Sequence, residues 1–475
     1  MTMLLYNTLT DKKEELIKPA TGDLKLFVCG PTVYDVIHIG NARTYIVFDN
    51  FVRYLRARGF QVYYLQNITD VDDKIIERAR IAGQSPSALA KKFERLYHSA
   101  EKLLRIDSVT HYARATDHVP EMIRQIEMLI AKGHAYKIAG DGYYFDLATF
   151  PEYGRLARRT IAQAEDSVSR VDYSNSKRNK GDFCLWKFAT PGTEGEPSWQ
   201  TTLGAGRPGW HIEDTAITEH HFGPQYDIHG GGVDIKFPHH EAEIAQQEAA
   251  SGKSPLARFW MHAGTLLVDG KKMSKSLGNF ITLADFLQSH SVNIFRYVVA
   301  SHHYRSPLDY TVTLAAQADN TLQTIEDFLA KLELVTSSKS QRVVASLSQT
   351  KEALAKLEGD FFDAMDDDFN TPGALATIFQ FMNAHQKTIF SFSPSDARAA
   401  HDVITRLLEL FGVTFSRIKI PAIIQTLIRK RAAARAANDF AASDELRAQI
   451  LAKGYSIEDT PVGPLCRPLN SPHKI

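Results

Sequence analysis

Leu24-Lys25-Leu26-Phe27-Val28-Cys29-Gly30-Pro31-Thr32, followed by His38-Ile39-Gly40-Asn41, carries the pattern from which the architecture of this chain can be built outward. Leu24 to Cys29 is an apolar run of strand length, and Gly30-Pro31-Thr32 breaks it. Ala42 to Arg58 then carries an apolar stripe at helical spacing (Ile46, Val47, Phe51, Tyr54, Leu55), and Gly59 suits the helix C-terminus. Gln61 to Gln66 reads as a second strand. Strand, loop, helix and strand make a parallel βαβ unit, the opening of a doubly wound, Rossmann-type α/β sheet. The glycine after the first strand lets a nucleotide approach the backbone, and the helix N-terminus favours phosphate. Gly30, His38, Gly40 and Asn41 are therefore candidate nucleotide contacts.

Outward from this unit, helices are expected at Asp72–Ala82, Pro86–Leu104 and Val119–Lys132. The segments 135–138 and 143–147 flank Ala139-Gly140-Asp141-Gly142, a hairpin signal. Residues 155–181 are basic and polar and read as part of an insertion that interrupts the sheet. Parallel strands resume near Asp227-Ile228-His229, then Gly230-Gly231-Gly232-Val233-Asp234, with a helix from Pro238 to Ser251. From residue 283 the pattern is helical nearly to Leu410. The expected organisation is a catalytic domain over 1–111 and 206–260, a connective insertion over 112–205, a loop and stem-contact region over 261–315, a helical bundle over 316–420, and a C-terminal region over 421–475.

A chain of 475 residues with 44% hydrophobic and 23% charged residues sits in the ordinary soluble range. Its formal net charge is zero, so any nucleic-acid footprint must be local. No apolar run reaches the roughly 18 residues of a membrane span, and the N-terminus lacks a signal-peptide core. Three cysteines (Cys29, Cys184, Cys466) argue against a disulfide framework and for a reducing cytoplasm.

A second segment completes the first. Lys272-Met273-Ser274-Lys275-Ser276 is a doubly basic loop between Gly270 and Gly278, both plausible hinges. A lone His-Ile-Gly is weak and a lysine pair is usually a solvated surface. In this order, after a strand and a glycine-rich strand end, the two segments resemble the HIGH and KMSKS motifs of class I aminoacyl-tRNA synthetases. Asn41 departs from the fourth HIGH position but keeps a hydrogen-bonding side chain. The resemblance implies in-line attack of a carboxylate on the α-phosphate of ATP, carried by positioning and charge stabilisation. His38, Lys272 and Lys275 would be catalytic. Gly230 and Gly231 would let adenosine pack on the backbone, and Asp234 would accept from a ribose hydroxyl.

Further segments narrow the family. Phe27 to Asp35, Asn67-Ile68-Thr69-Asp70-Val71-Asp72-Asp73-Lys74, Gly209-Trp210-His211-Ile212-Glu213, Phe237-Pro238-His239-His240-Glu241, Asp366 to Pro372 and Glu458-Asp459-Thr460-Pro461 closely resemble cysteinyl-tRNA synthetases. That resemblance implies a zinc ion that binds the substrate thiolate, a sulfur test that serine and alanine fail. Its ligands map onto Cys29, His239, Glu243 and Asp214. His239 and Glu243 are i and i+4 on an expected helix and share a face, whereas His240 would pair with Ile244, which cannot ligate. Asp214 stands where the family has a cysteine. Two readings stay open: Asp214 ligates through oxygen, or the site binds zinc weakly or not at all and selects cysteine by shape and polar contacts. Thr32 and Trp210 are implied to line the cysteine pocket.

The C-terminal region carries Arg429-Lys430-Arg431 and Arg435 on one expected helix, candidate contacts to tRNA phosphates. Family members often have a tryptophan-arginine pair after the acidic stretch, where this chain has Leu465-Cys466-Arg467. The resemblance implies cysteine tRNA, L-cysteine and ATP with magnesium as partners of a monomer. An enzyme joining cysteine to a small amine and a non-catalytic tRNA-binding paralogue are the alternatives.

Overall fold

The computed structural model describes residues 2–159, 174–190, 195–338, 347–415 and 419–469. Most of the basic stretch 155–181, and residues 470–475 of the C-terminal region, therefore lie outside the described residues. The chain divides into two compact units, Met1–Leu283 with Tyr304–Asp309, and Ala284–His303 with Tyr310–Ile475.

The first unit is built on five strands, β1 (Leu24–Val28), β2 (Val62–Ile68), β3 (His111–Arg114), β4 (Tyr226–Gly232) and β5 (Ala257–Ala263), in the order β5-β4-β1-β2-β3. Every neighbouring pair is parallel. Leu24, Leu26, Phe27 and Val28 are fully buried, which is why this strand reads as a continuous apolar run. Strand order reverses between β1 and β4. Their carboxyl ends therefore diverge into a crevice, the usual ligand position of such sheets.

Helix α1 (Ile39–Ala57) returns the chain from β1 to β2 and begins three residues before the apolar stripe starts. A capping box explains the early start: the His38 side chain accepts from the Gly40 and Asn41 backbone N–H groups, and Asn41 answers to the His38 N–H. Helix α2 (Ile212–Phe222) has no counterpart among the expected helices. Ile212 through Thr218 are all buried, so the helix shows no polar face and no stripe. The expected helix from Pro238 starts as a wide π-type turn, Lys236–His240, kinked at Phe237, which is extended at φ −137° and ψ 133°; regular helix α3 runs Glu241–Ser251.

Four antiparallel strands, Ala135–Ile138, Gly142–Phe145, Phe183–Phe188 and Gly206–Pro208, form the inserted sheet. The expected limits at 112, 205 and 260 shift accordingly. Residues 112–114 stay with the main sheet through pairing with β2, Gly206–Pro208 stays with the insertion through Phe183–Phe188, and β5 runs across 260. Pairing partners, not local composition, decide where these strands end.

The second unit carries helices Val292–Ala300, Val312–Ser337, Leu347–Asp366, Thr371–His385 and Pro394–Glu409. The second of these starts before the expected limit at 316, because Thr311 caps it through the Leu314 N–H. Asn370 caps Thr371–His385 in the same way through Gly373, with Pro372 in the first turn. Two helices, Ala422–Ala436 and Phe440–Ala452, and an antiparallel pair, Tyr455–Thr460 with Gly463–Pro468, close the chain around Ile424, Leu427, Ile450 and Ile457. No helix among the described residues is long and apolar enough to cross a membrane.

Candidate active site

A cavity of about 320 Å³ opens at the carboxyl ends of β1 and β4. Its lining includes Cys29, Gly30, Thr32, His38, Asn41 and Lys275, together with Trp210, Asp214, Asp234 and His239. Sites expected from four distant segments thus meet in one place.

His38 sits at the mouth. Its Nδ1 lies 3.1 Å from the Gly40 nitrogen and 3.3 Å from the Asn41 nitrogen and accepts from both. Burial lowers the pKa of His38; Asp234 opposes this and Lys275 adds to it. The ring is thus neutral at pH 7 with its proton on Nε2, a donor that the helix cap holds in place. A Cβ at Gly40 would stand 2.8 Å from Met273 Cε and 2.9 Å from the His38 ring. Gly40 therefore makes room for the Lys272–Ser276 loop and for His38. Lys275 Nζ is 2.6 Å from Asp35 Oδ2, beside the mouth. Lys272, on a two-residue strand paired with Leu267, is exposed and does not line the cavity. Gly270 and Gly278 both hold positive φ, 74° and 67°, as tight turns flanking a loop require.

The glycine run divides its work differently from the expectation. Gly232 lines the cavity, but Gly230 and Gly231 do not. A Cβ on Gly230 would strike the Phe48 ring at 2.4 Å, and one on Gly231 would strike His240 at 2.8 Å. These two glycines admit α1 and the turn before α3 onto the sheet.

The floor is a buried cluster of metal-ligating groups. Cys29, Asp214, His239 and Glu243 each offer an atom within 4.8 Å of the others. His239 Nε2 lies 3.0 Å from Asp214 Oδ2 and 2.8 Å from Glu243 Oε1, and Cys29 Sγ is 3.8 Å from Glu243. Asn67 ties the cluster to the sheet: its Nδ2 donates to Asp214 Oδ1 at 2.6 Å and its Oδ1 accepts from the Gly30 N–H at 2.6 Å. A Cβ on Gly30 would fall 1.8 Å from the Asn67 carbonyl oxygen, so only glycine fits. Trp210 stacks on the His239 ring at 4.2 Å and 14° and stays about a third exposed, forming a wall. Burial pushes the Cys29 thiol well up, and Glu243 and Asp214 push it further. Burial works against charge on His239, yet Glu243 and Asp214 raise it to about 10. A site that concentrates carboxylates around a thiol in this way is suited to a cation.

Beneath this set lies a second that sequence reasoning missed. Cys29 Sγ is 3.2 Å from His240 Nε2 and 3.5 Å from His229 Nε2, and His240 Nδ1 is 2.9 Å from His262 Nε2. Burial first, then neighbouring imidazoles, holds His240 and His229 well below the ordinary histidine value, so both are neutral. His229, Trp260 and His262 share a face because β4 and β5 pair with His229 opposite Trp260 and Gly231 opposite His262. That register was the missing signal.

Residues 16–320 match the model of the class I (C) tRNA synthetase catalytic domain, 360–416 the DALR domain, and 418–463 the cysteinyl-tRNA ligase anticodon binding domain. The chain is 40% identical over 480 residues to a cysteine–tRNA ligase of Heliobacterium modesticaldum, covering 98% of this chain and 99% of the relative. It is 42% identical over 465 residues to one of Legionella pneumophila, covering 97% and 98%. This chain belongs to the cysteinyl-tRNA synthetases. Among solved structures it is similar to Mycobacterium tuberculosis methionyl-tRNA synthetase with methionyl-adenylate, at TM-score 0.59 and 15% identity over 83% of this chain and 90% of that one. It is also similar to an Agrobacterium radiobacter LeuRS in a ternary complex, at TM-score 0.60 and 12% identity over 83% and 84%. These likenesses show the fold of this cysteinyl-tRNA synthetase, an ATP-dependent ligase, with its inserted sheet, helical DALR region and anticodon-binding end.

At that end the basic helix is not uniformly exposed. Arg429 and Lys430 are exposed, but Arg431 is buried and holds Asp459 through two bonds of 2.7 and 2.8 Å. Arg435 reaches the same carboxylate at 3.2 Å. Of the expected four-residue basic face, Arg429, Lys430 and Arg435 are exposed and Arg431 is buried, and Asp459 engages Arg431 and Arg435. Arg431 anchors the helix to the strand that carries Asp459. Its hydrogen bonds outweigh partial burial and hold the Asp459 carboxyl below its ordinary range. A lowered carboxyl pKa adds stability above the unfolded value, about pH 4, and loses it as pH falls through the folded value. Asp459→Asn is expected to remove this acid-sensitive component from the C-terminal region, read by amide exchange in 455–468 between pH 3 and 6; an unchanged profile would refute the assignment.

Proposed function

We propose that the cavity is the adenylation site and that its residues divide the work as follows. The cysteine carboxylate attacks the α-phosphate of ATP, and pyrophosphate leaves with magnesium. His38 Nε2–H donates to the phosphoryl oxygens as charge builds. Lys275 exchanges Asp35 for phosphate, and Lys272 follows when the loop closes over the triphosphate. Gly30, Gly40, Asn41 and Gly232 leave room for the nucleotide, and Asp234 accepts from the ribose. The terminal hydroxyl of cysteine tRNA then attacks the acyl carbon, and AMP leaves.

Thr32 and Trp210 line the cysteine subsite. Cys29, Asp214, His239 and Glu243 would hold zinc, which supplies a soft Lewis acid that favours thiolate over hydroxyl. The oxygen of Asp214 carries the same formal charge as the family thiolate, and Asn67 and His239 orient it. Arg429 and Lys430 contact tRNA phosphates while Arg431 and Arg435 fix the helix. The observation that carries the reading is that the nucleotide residue His38 and the sulfur-selecting residue Cys29 line one cavity.

Cysteine-dependent pyrophosphate exchange followed by transfer to a cysteine tRNA transcript tests it. Both steps are expected to proceed. Exchange without transfer would favour a small-amine acceptor, and no exchange would leave a tRNA-binding protein.

A further inference from the structure

Away from the cavity, His118, His220 and His221 converge where the chain leaves the main sheet for the insertion and where it returns. One ring nitrogen of each lies within 4.8 Å of one ring nitrogen of both others. His118 precedes helix Val119–Ala131, and His220 and His221 end α2. The ring centroids are 5.4, 5.5 and 5.0 Å apart. Nothing in cysteine activation uses these residues. Along α2, Asp214 and His220 are six residues apart, about 9 Å at the helical rise.

Each ring is prepared in a different way. His118 Nδ1 is 2.9 Å from the Arg114 carbonyl oxygen, which can only accept, so Nδ1 carries the proton and Nε2 keeps its lone pair. His220 Nδ1 is 3.4 Å from Glu121 Oε1, the carboxylate-to-imidazole arrangement that orients metal-bound histidines. His221 Nε2 is buried and, among the described residues, has no hydrogen-bond partner. A buried, unpartnered ring nitrogen is costly unless something fills the place of the partner. The His111 ring stands 4.9 Å from His221, centroid to centroid.

We propose that His118, His220 and His221 form a second metal site that takes one divalent transition-metal ion. Three imidazoles suit zinc, nickel, cobalt or copper and not magnesium or calcium. Ligand nitrogens around a tetrahedral ion stand about 3.3 Å apart, and rotation of the exposed His220 ring closes the remaining gap. A bound ion ties the start of the insertion helix to the end of α2. The proposal stands independently of the adenylation reading.

The test uses full-length protein, stripped with chelator and dialysed against micromolar nickel, with metal per chain measured by mass spectrometry. Wild type is expected to hold one equivalent more than His220→Ala, whose side chain is exposed and whose loss leaves the fold intact. It is also expected to gain more melting temperature from nickel than His220→Ala does, by several degrees. His118→Gln gives a second arm and should lower stoichiometry equally. Equal nickel content in wild type and both variants overturns the site, as does a wild type whose melting temperature ignores nickel while both variants stay folded.

Discussion

His38→Asn is expected to lower cysteine-dependent pyrophosphate exchange by about 10²–10³-fold, the loss that follows removal of one preorganised donor to a developing oxyanion. The reason lies in the division between the two ring nitrogens. Nδ1 belongs to the fold, because it accepts from Gly40 and Asn41 and starts α1. Nε2 is the donor that the proposed adenylation site uses. Asparagine is an excellent N-cap and keeps the first role while losing the second. His38→Ala loses both and should in addition lower stability by about 1 kcal/mol, the usual cost of a lost cap. Stopped-flow exchange rates and thermal melts on the two variants separate these effects. Full exchange activity in His38→Asn would assign the histidine to helix capping alone.

Asp214→Ala is expected to abolish zinc binding and to reduce kcat/KM for cysteine by at least about 10²-fold, since even residues one shell further out cost 10–100-fold. Asp214 Oδ2 faces His239 Nε2 at 3.0 Å, and Asn67 holds Oδ1. Removing the carboxylate leaves Cys29, His239 and Glu243 without their fourth partner. Asp214→Cys points the other way: a thiolate in this place should slow zinc loss to a chelator. Metal analysis after desalting, with chelator challenge, reads both. A wild-type protein that holds no zinc and is indifferent to chelator while fully active would leave cysteine selection to shape and to Trp210 and Thr32.

Much of this site was legible in the chain itself, and the reasons are local. The β1–α1–β2 unit shows because β1 is buried on both faces and α1 carries a stripe. Spacing favours His239 over His240 as the partner of Glu243, since i and i+4 share a helix face; the two stand 2.8 Å apart although His239 lies in the turn just before regular α3 begins. From the chain alone Gly30 reads as room for a nucleotide; that a Cβ there would strike the Asn67 carbonyl could not be foreseen.

Helix α2 was not legible, because a helix buried on nearly every side has no amphipathic period to read. His229 and His262 look like ordinary core histidines until the parallel register of β4 and β5 puts them on one face. His240, set aside in favour of His239 on i, i+4 spacing, comes to 3.2 Å from Cys29 out of the turn before α3. Arg431 looked like its neighbours in a basic run. Only its position on the inner face of its helix, opposite Asp459, separates a structural cation from an exposed one.

The sequence by itself determined the reaction class, the nucleotide motifs and the family, because these depend on short segments whose chemistry is carried by residue type and spacing. Tertiary structure decided which groups share a volume: which glycines meet the cavity and which meet Phe48 and His240, which arginines are engaged, and which histidines surround one thiol. Those outcomes depend on strand order and register between segments up to about two hundred residues apart, as between Cys29 and His229, and no local pattern encodes a pairing partner that distant.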